Sequence, residues 1–210
     1  MHSEMKKIIS ILLTICAFNI YVKAQETGEE SFPRFTFGAE WGYVATVWEF
    51  THNNFFSAEG YRINEKGNAF GYHSNGELYL HAGYNFDEYW NLSLYAGYGG
   101  VNGIHKIVPI SIRATRYYGD DPLTDRWFTF AGLGSGICLK KPVQEIFTGR
   151  FGGGYRMSLS PDTKLDLMVG LSLTYTHPEV IHDGRQIPHK MINRNDKLCG
   201  GLSISLALTI

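Results

Sequence analysis

The chain has 210 residues, of which 44% are hydrophobic, 14% aromatic and only 19% charged. That length allows one domain or two small ones, and low charge with high aromatic content excludes a disordered chain. A formal net charge of −1 leaves no basic footprint for nucleic acid, while abundant Gly, Tyr and Phe point to an all-β protein.

Residues 1–24 read as a secretory signal peptide. Lys6 and Lys7 form a positive start, 8–20 is an apolar run too short to span a bilayer, and Ala24 supplies the small residue before Gln25. Ile15 stands where a lipoprotein signal requires Gly or Ala, so Cys16 is not read as a lipidation site. Cleavage after Ala24 leaves a domain of 25–210 with Cys138 and Cys199. These two fall on non-adjacent segments and read as small wall-facing thiols rather than a disulfide.

Beyond the signal, strict alternation replaces any helical pattern. Eight segments show it: 34–49, 76–86, 91–101, 106–118, 127–139, 147–159, 164–176 and 197–209. The last two are the clearest. Leu165, Leu167, Val169, Leu171 and Leu173 share one face, as do Leu202, Ile204, Leu206 and Leu208; Gly, Ser, Thr and Ala dominate the other. A soluble sandwich would place Lys and Glu opposite its apolar face. A continuous apolar face backed by small polar residues fits lipid outside and a narrow interior within. This predicts an all-β fold, an eight-stranded antiparallel transmembrane β-barrel, closed because lipid offers no partner to an open edge.

Connections alternate in length. The long ones, 50–75 and 177–196, fall at one end; the tight turns near 87–90 and 160–163 fall at the other, with both termini. Outer-membrane barrels place short turns in the periplasm and long loops outside the cell. The 119–126 connection is longer than that pattern favours, while 102–105 and 140–146 complete the outer set. Aromatic residues gather at strand ends. Phe35, Phe37, Phe86, Tyr89, Trp90, Tyr117, Tyr118, Trp127 and Phe128 are expected in a periplasmic girdle, and Trp48, Phe50, Phe55, Phe56 and Tyr175 in an outer one.

The repeated Ala-Gly-Tyr at 82–84 and 96–98, the glycine- and phenylalanine-rich run 128–136 and the alternating strand 198–210 resemble small eight-stranded outer-membrane barrels of the OmpA/OmpX-like type. The resemblance extends to the outer-membrane β-barrel domain proteins of the Bacteroidetes. It covers the mature chain and implies location in the outer membrane of a Gram-negative bacterium. It also implies contact with outer-membrane lipid and lipopolysaccharide, and assembly by the barrel-insertion machinery. Such barrels commonly end in an aromatic residue, whereas this sequence ends in Ile210.

Alternation assigns a lumen charge network of Glu40, Glu77, His81, Arg113, Arg150, Arg156 and Asp166, with Tyr79 beside it. Buried charges persist only when paired, and Arg156 and Asp166 could pair diagonally across the 160–163 turn. The network is expected to plug a barrel too narrow to conduct.

His73-Ser74-Asn75 is the one enzyme-like feature. It resembles the His-x-Ser-Asn motif of the lipid A deacylase family, without the intervening residue and in a different part of the chain. Adjacent residues on one strand face opposite ways, whereas a serine nucleophile needs its histidine within hydrogen-bond reach. His52, His73, His105, His177, His182 and His189 lie in or beside the outer loops in no metal-ligand spacing, and Gly152-Gly153-Gly154 lacks the lysine and helix of a phosphate loop. No cofactor and no metal are expected.

The leading expectation is a non-enzymatic structural or surface-display protein, engaged in adhesion or recognition, that offers 50–75 and 177–196 to an extracellular ligand. The alternatives are a lipid A-modifying enzyme using His73 and Ser74, and a soluble exported barrel with an apolar ligand inside.

Overall fold

The computed structural model describes residues 33–57, 59–101, 105–119, 121, 123–139 and 145–210. The signal peptide 1–24, most of the 102–105 turn and much of the 140–146 connection lie outside the described residues.

The strands are β1 (Phe35–Phe56), β2 (Arg62–Asn85), β3 (Trp90–Val101), β4 (His105–Tyr117), β5 (Arg126–Cys138), β6 (Glu145–Ser158) and β7 (Lys164–Thr176). A short pair follows, β8 (Ile181–His182) and β9 (Arg185–Gln186), then a single 3₁₀ turn His189–Met191 and β10 (Ile192–Thr209). Eight strands close into an antiparallel barrel in the order β1-β10-β7-β6-β5-β4-β3-β2. Closure joins the two ends of the domain, β1 running against β10 from Gly38↔Thr209 outwards.

Alternation sorts every strand into two faces. Trp41, Leu80, Leu94, Ile112, Leu133, Phe151, Val169 and Ile204, one from each barrel strand, are all exposed and form a continuous outer belt. The inward set is polar, aromatic or small. A closed ladder with an apolar outside and a polar inside is stable in hydrocarbon, where water cannot satisfy backbone groups.

The lumen is filled by side chains. Tyr117, Phe128, Phe130, Met168 and Ala207 form one buried cluster, and Ile107, Cys138 and Ile146 a second. Gly152, Gly154 and Gly170 make the first possible: a methyl on Gly152 or Gly170 would lie 3.0 or 3.2 Å from the tip of the Phe130 ring, closer than carbon atoms pack. Tyr117 and Phe128, expected in the periplasmic girdle, therefore point inward, at 5% and 3% exposure. Each is separated by an even number of residues from other lumen positions of its strand, such as Arg113 and Phe130, and parity overrides aromatic preference. Phe35, Phe86, Tyr89, Trp90, Tyr118 and Trp127 do form an exposed belt at that end.

The same end is built from local side-chain turns. Asp87 Oδ1 accepts from the amides of Tyr89 (2.8 Å) and Trp90 (2.6 Å), Asp121 Oδ1 from Leu123 (2.8 Å), and Ser160 Oγ from Thr163 (3.0 Å).

The opposite end departs from expectation. Most of the 50–75 loop is strand: β1 runs to Phe56 and β2 starts at Arg62. The 177–196 loop gives its last residues to β10 and holds the β8–β9 hairpin. Asp183 and Gly184 both have positive φ, 50° and 72°, the conformation of a tight hairpin turn. Three strands thus leave the barrel together as a sheet, with the register shifting at Val47: it is the extra residue against β10, while β2 sets both Gly71 and Tyr72 against it.

Candidate functional site

Two assemblies concentrate polar chemistry: the lumen network and the outer sheet.

In the lumen, Arg113 reaches Glu40 through both terminal nitrogens, Nη1 to Oε2 at 2.6 Å and Nη2 to Oε1 at 3.2 Å. Arg113 Nη1 also donates to the Tyr95 hydroxyl at 3.0 Å, and its guanidinium lies 4.0 Å from the Tyr95 ring centre. Arg150 hydrogen-bonds Glu77 and lies 3.6 Å from Glu40 Oε1, so Glu77, Arg150, Glu40 and Arg113 form one alternating-sign chain. A second unit sits nearer the short-turn end. Arg156 holds Asp166 with two parallel hydrogen bonds of 2.7 Å. The residues are direct cross-strand partners rather than a diagonal pair, which permits the fork geometry. Arg156 and Arg126 both stack on Tyr117, at 4.4 and 4.1 Å.

His81 stands apart. Its ring stacks on Tyr95 with centres 4.9 Å apart, and neither ring nitrogen has a hydrogen-bond partner among the described residues. Tyr95, Tyr117, Phe130, Met168 and Arg126 escaped the sequence assignment. The signal that finds them is strand parity: Tyr95 and Met168 lie two residues from the lumen positions Ser93 and Asp166. What remains empty is small, a cavity of about 40 Å³ above the Glu40 layer and one of about 10 Å³ below it. These hold a few water molecules at most. An apolar ligand has neither the space nor the lining it would need.

The outer sheet has its own core. Phe55, Val180 and Ile187 are buried together, with Ile63, Met191 and Ile192 packed against them, so the 177–191 segment folds onto β1, β2 and β10. Phe55, expected in the outer aromatic girdle, is instead the centre of this core at 1% exposure.

Polar contacts fasten the same segment. Asp196 accepts from the Tyr175 hydroxyl (2.7 Å) and from Arg194 Nε, and lies 3.3 Å from His177 Nδ1. Asn195 Nδ2 donates to the Pro178 carbonyl at 2.9 Å. Asp196 lies above Lys197↔Thr176, the last pair between β10 and β7. Burial works against its charge, but hydrogen bonds from Tyr175 and Arg194 and the nearby cations outweigh this and hold the carboxyl below its ordinary range. A folded-state pKa below the unfolded one gives stability that is full above the unfolded pKa and disappears as pH falls through the folded value. Proteolysis within 177–191 should therefore stay slow at neutral pH and accelerate below about pH 4. Asp196→Asn should show the faster cleavage already at pH 7. Equal rates for the two proteins at pH 7 would contradict this.

His73 and Ser74 are not brought together. His73 turns towards the barrel mouth, where its Nε2 is 3.6 Å from Glu49 Oε1, and Glu49 is held by Lys197 Nζ at 2.7 Å. Ser74 is exposed on the other face, hydrogen-bonded with the hydroxyls of Tyr43 and Tyr72. The arrangement lacks the contact a serine nucleophile requires. His52 bonds Asn64, and no group of three metal-ligating side chains occurs among the described residues.

No protein-family model and no curated protein matches the sequence. Solved structures do resemble the fold. Outer membrane protein OprG from Pseudomonas aeruginosa aligns with a TM-score of 0.52 at 10% identity, over 87% of this chain and 99% of that one. Neisserial surface protein A aligns at 0.45 and 13%, over 82% and 95%. The N-terminal β-barrel domain of Pseudomonas aeruginosa OprF aligns at 0.38 and 11%, over 82% and 99%. The OprG likeness supports the fold alone, and it agrees with the closed antiparallel ladder. The chain is thus a small eight-stranded transmembrane β-barrel of the Gram-negative outer-membrane type.

Proposed function

We propose that this protein is a non-enzymatic surface-display protein: a plugged barrel that anchors a folded protrusion outside the cell for adhesion or recognition. The supporting observation is the outer sheet, in which three barrel strands continue past the wall and bury Phe55 against Val180 and Ile187. A loop that only joined two strands would need no separate core. Ordering a binding surface in advance lowers the entropy lost when a partner docks. The filled lumen supports an anchoring rather than a conducting role. In this reading the short turns and both ends of the barrel domain face the periplasm, and lipopolysaccharide surrounds the outer half of the belt.

An epitope tag inserted after Gly60, in the turn between β1 and β2, tests it. Intact Gram-negative cells expressing the tagged full-length chain should stain with antibody. A tag inserted after Pro161 should stain only after permeabilisation. The reverse pattern would place the protrusion in the periplasm and end the display reading.

A further inference from the structure

Past the register shift at Val47 the outer sheet keeps two faces, and they carry different chemistry. One buries Phe55 beneath the 177–191 segment and holds Glu49 with Lys197. The other continues the lipid-facing belt. Register sets its rows: Trp48 lies between Phe70 and Gly200, Phe50 between Asn68 and Leu198, His52 between Lys66 and Asp196, and Asn54 between Asn64 and Arg194. Side-chain bonds show that these residues share a face: His52 Nε2 with Asn64 Oδ1 at 2.9 Å, and Arg62 Nε donating to Asn54 Oδ1 at 3.0 Å. The Phe50 row runs on without a break through Leu198 and Tyr175 to Phe147, on the barrel wall itself.

Upward from the wall the rows change from aromatic and apolar to cationic. Trp48, Phe70, Phe50 and Leu198 come first; Lys66, Arg194 and Arg62 follow. Asp196 is the only acid of these rows, and it is engaged by Tyr175 and Arg194. Glu49 and Glu65 belong to the opposite face, Glu65 beside Asn53. That order marks the passage from hydrocarbon to headgroups, where aromatic rings give way to lysine and arginine. The depth agrees. His52 and Asn54 stand two and four residues beyond Phe50, which at the rise and tilt of barrel strands is about 5–10 Å. The headgroup layer of a bilayer is about 5–8 Å thick on each side. Arg62 is fixed through Nε on Asn54, and Arg194 through Nε on Asp196. These contacts leave the terminal nitrogens of each guanidinium for an acceptor outside the sheet, a fork that suits a phosphate.

We infer that this face of the protrusion is a lipid-binding surface: the Phe50 row rests at the headgroup boundary, and Arg62, Lys66 and Arg194 bind phosphate groups of an anionic glycolipid of the outer leaflet. The inference rests on the surface-display reading, which puts the protrusion outside the cell, and adds that one of its faces belongs to the membrane. Two observations choose lipid over a soluble partner. The face continues the belt without a break, and its charge is cationic where a leaflet carries its anions.

The test titrates the full mature chain, in zwitterionic detergent, with a rough-type lipopolysaccharide phosphorylated on lipid A and inner core. The glycolipid that co-purifies is counted from its released fatty acids. Arg62→Gln with Lys66→Gln should weaken retention about thirtyfold, and Lys66→Gln alone about fivefold, from the usual worth of one cation at an anionic surface. Both proteins should keep the heat-dependent mobility shift of a folded barrel. Arg185→Gln with Lys190→Gln removes the same charge from the 177–191 segment and should bind like the wild type. Added salt should weaken the wild type more than the Arg62/Lys66 variant. Undiminished retention by that variant, equal loss in the Arg185/Lys190 variant, or equal retention of the dephosphorylated glycolipid would overturn the inference. So would displacement by inorganic phosphate at matched ionic strength, which would make the ligand a free phosphate. Failure here with the Gly60 tag still stained on intact cells would remove the lipid contact and leave surface display standing.

Discussion

Replacing Glu40 by alanine should destabilise the folded barrel by about 3–5 kcal/mol, the usual cost of breaking a buried ion pair from one side. Glu40 is fully buried and is the only acid between Arg113 and Arg150 in the alternating chain. Its loss leaves Arg113 facing Tyr95, Phe130 and Met168, groups that cannot balance a full charge. Arg150 keeps Glu77 and suffers less. Exchanging both partners, Glu40→Met with Arg113→Met, should recover most of the loss, because a packed apolar pair no longer carries the desolvation penalty. Urea unfolding of the protein in lipid vesicles, followed by the heat-dependent mobility shift on gels, measures both. A double variant as unstable as the single one would mean that packing around Glu40, not its charge balance, sustains the centre of the barrel.

Phe55→Ala should cost about as much, about 3–5 kcal/mol, but in a different place. The ring fills a core shared with Val180, Ile187, Ile63, Met191 and Ile192, and meets the His182 ring edge-on at 5.4 Å. That core is separate from both lumen clusters. The loss should therefore be confined to the protrusion, since local structure opens at its own free energy. Proteases should cut 177–191 rapidly in the variant, while the barrel keeps its mobility shift and urea midpoint. A midpoint that falls with the protrusion would show that the outer sheet and barrel fold as one unit.

The contrast between these two sites shows what kind of information each needed. Glu40 and Arg113 are 73 positions apart in the chain, yet strand parity assigns both to the lumen. Parity could not say which acid meets which base. That depends on how far each strand is shifted along its neighbour, as the direct Arg156↔Asp166 pairing shows. Phe55 was legible only as an aromatic near a strand end. Nothing local distinguishes a girdle residue from the centre of a small core, because the residues that bury it come from 180–192 and from β2. The Asp183-Gly184 hairpin went unread within the 177–196 connection, because its flanking strands are only two residues long. His73 and Ser74 were separable in advance, since adjacent strand residues face apart.

By itself the sequence determined the strand count, the two faces, the closed barrel and the polar lumen. These follow from a period of two and from the need to pair every backbone group in lipid, and both requirements are written locally. The pairing inside the lumen, the extent of β1, β2 and β10 beyond the wall and the small core around Phe55 came from the three-dimensional structure alone. Strand length beyond the membrane is no longer set by lipid. It is set by what packs on the strand, here the 177–191 segment folded onto the Phe55 core.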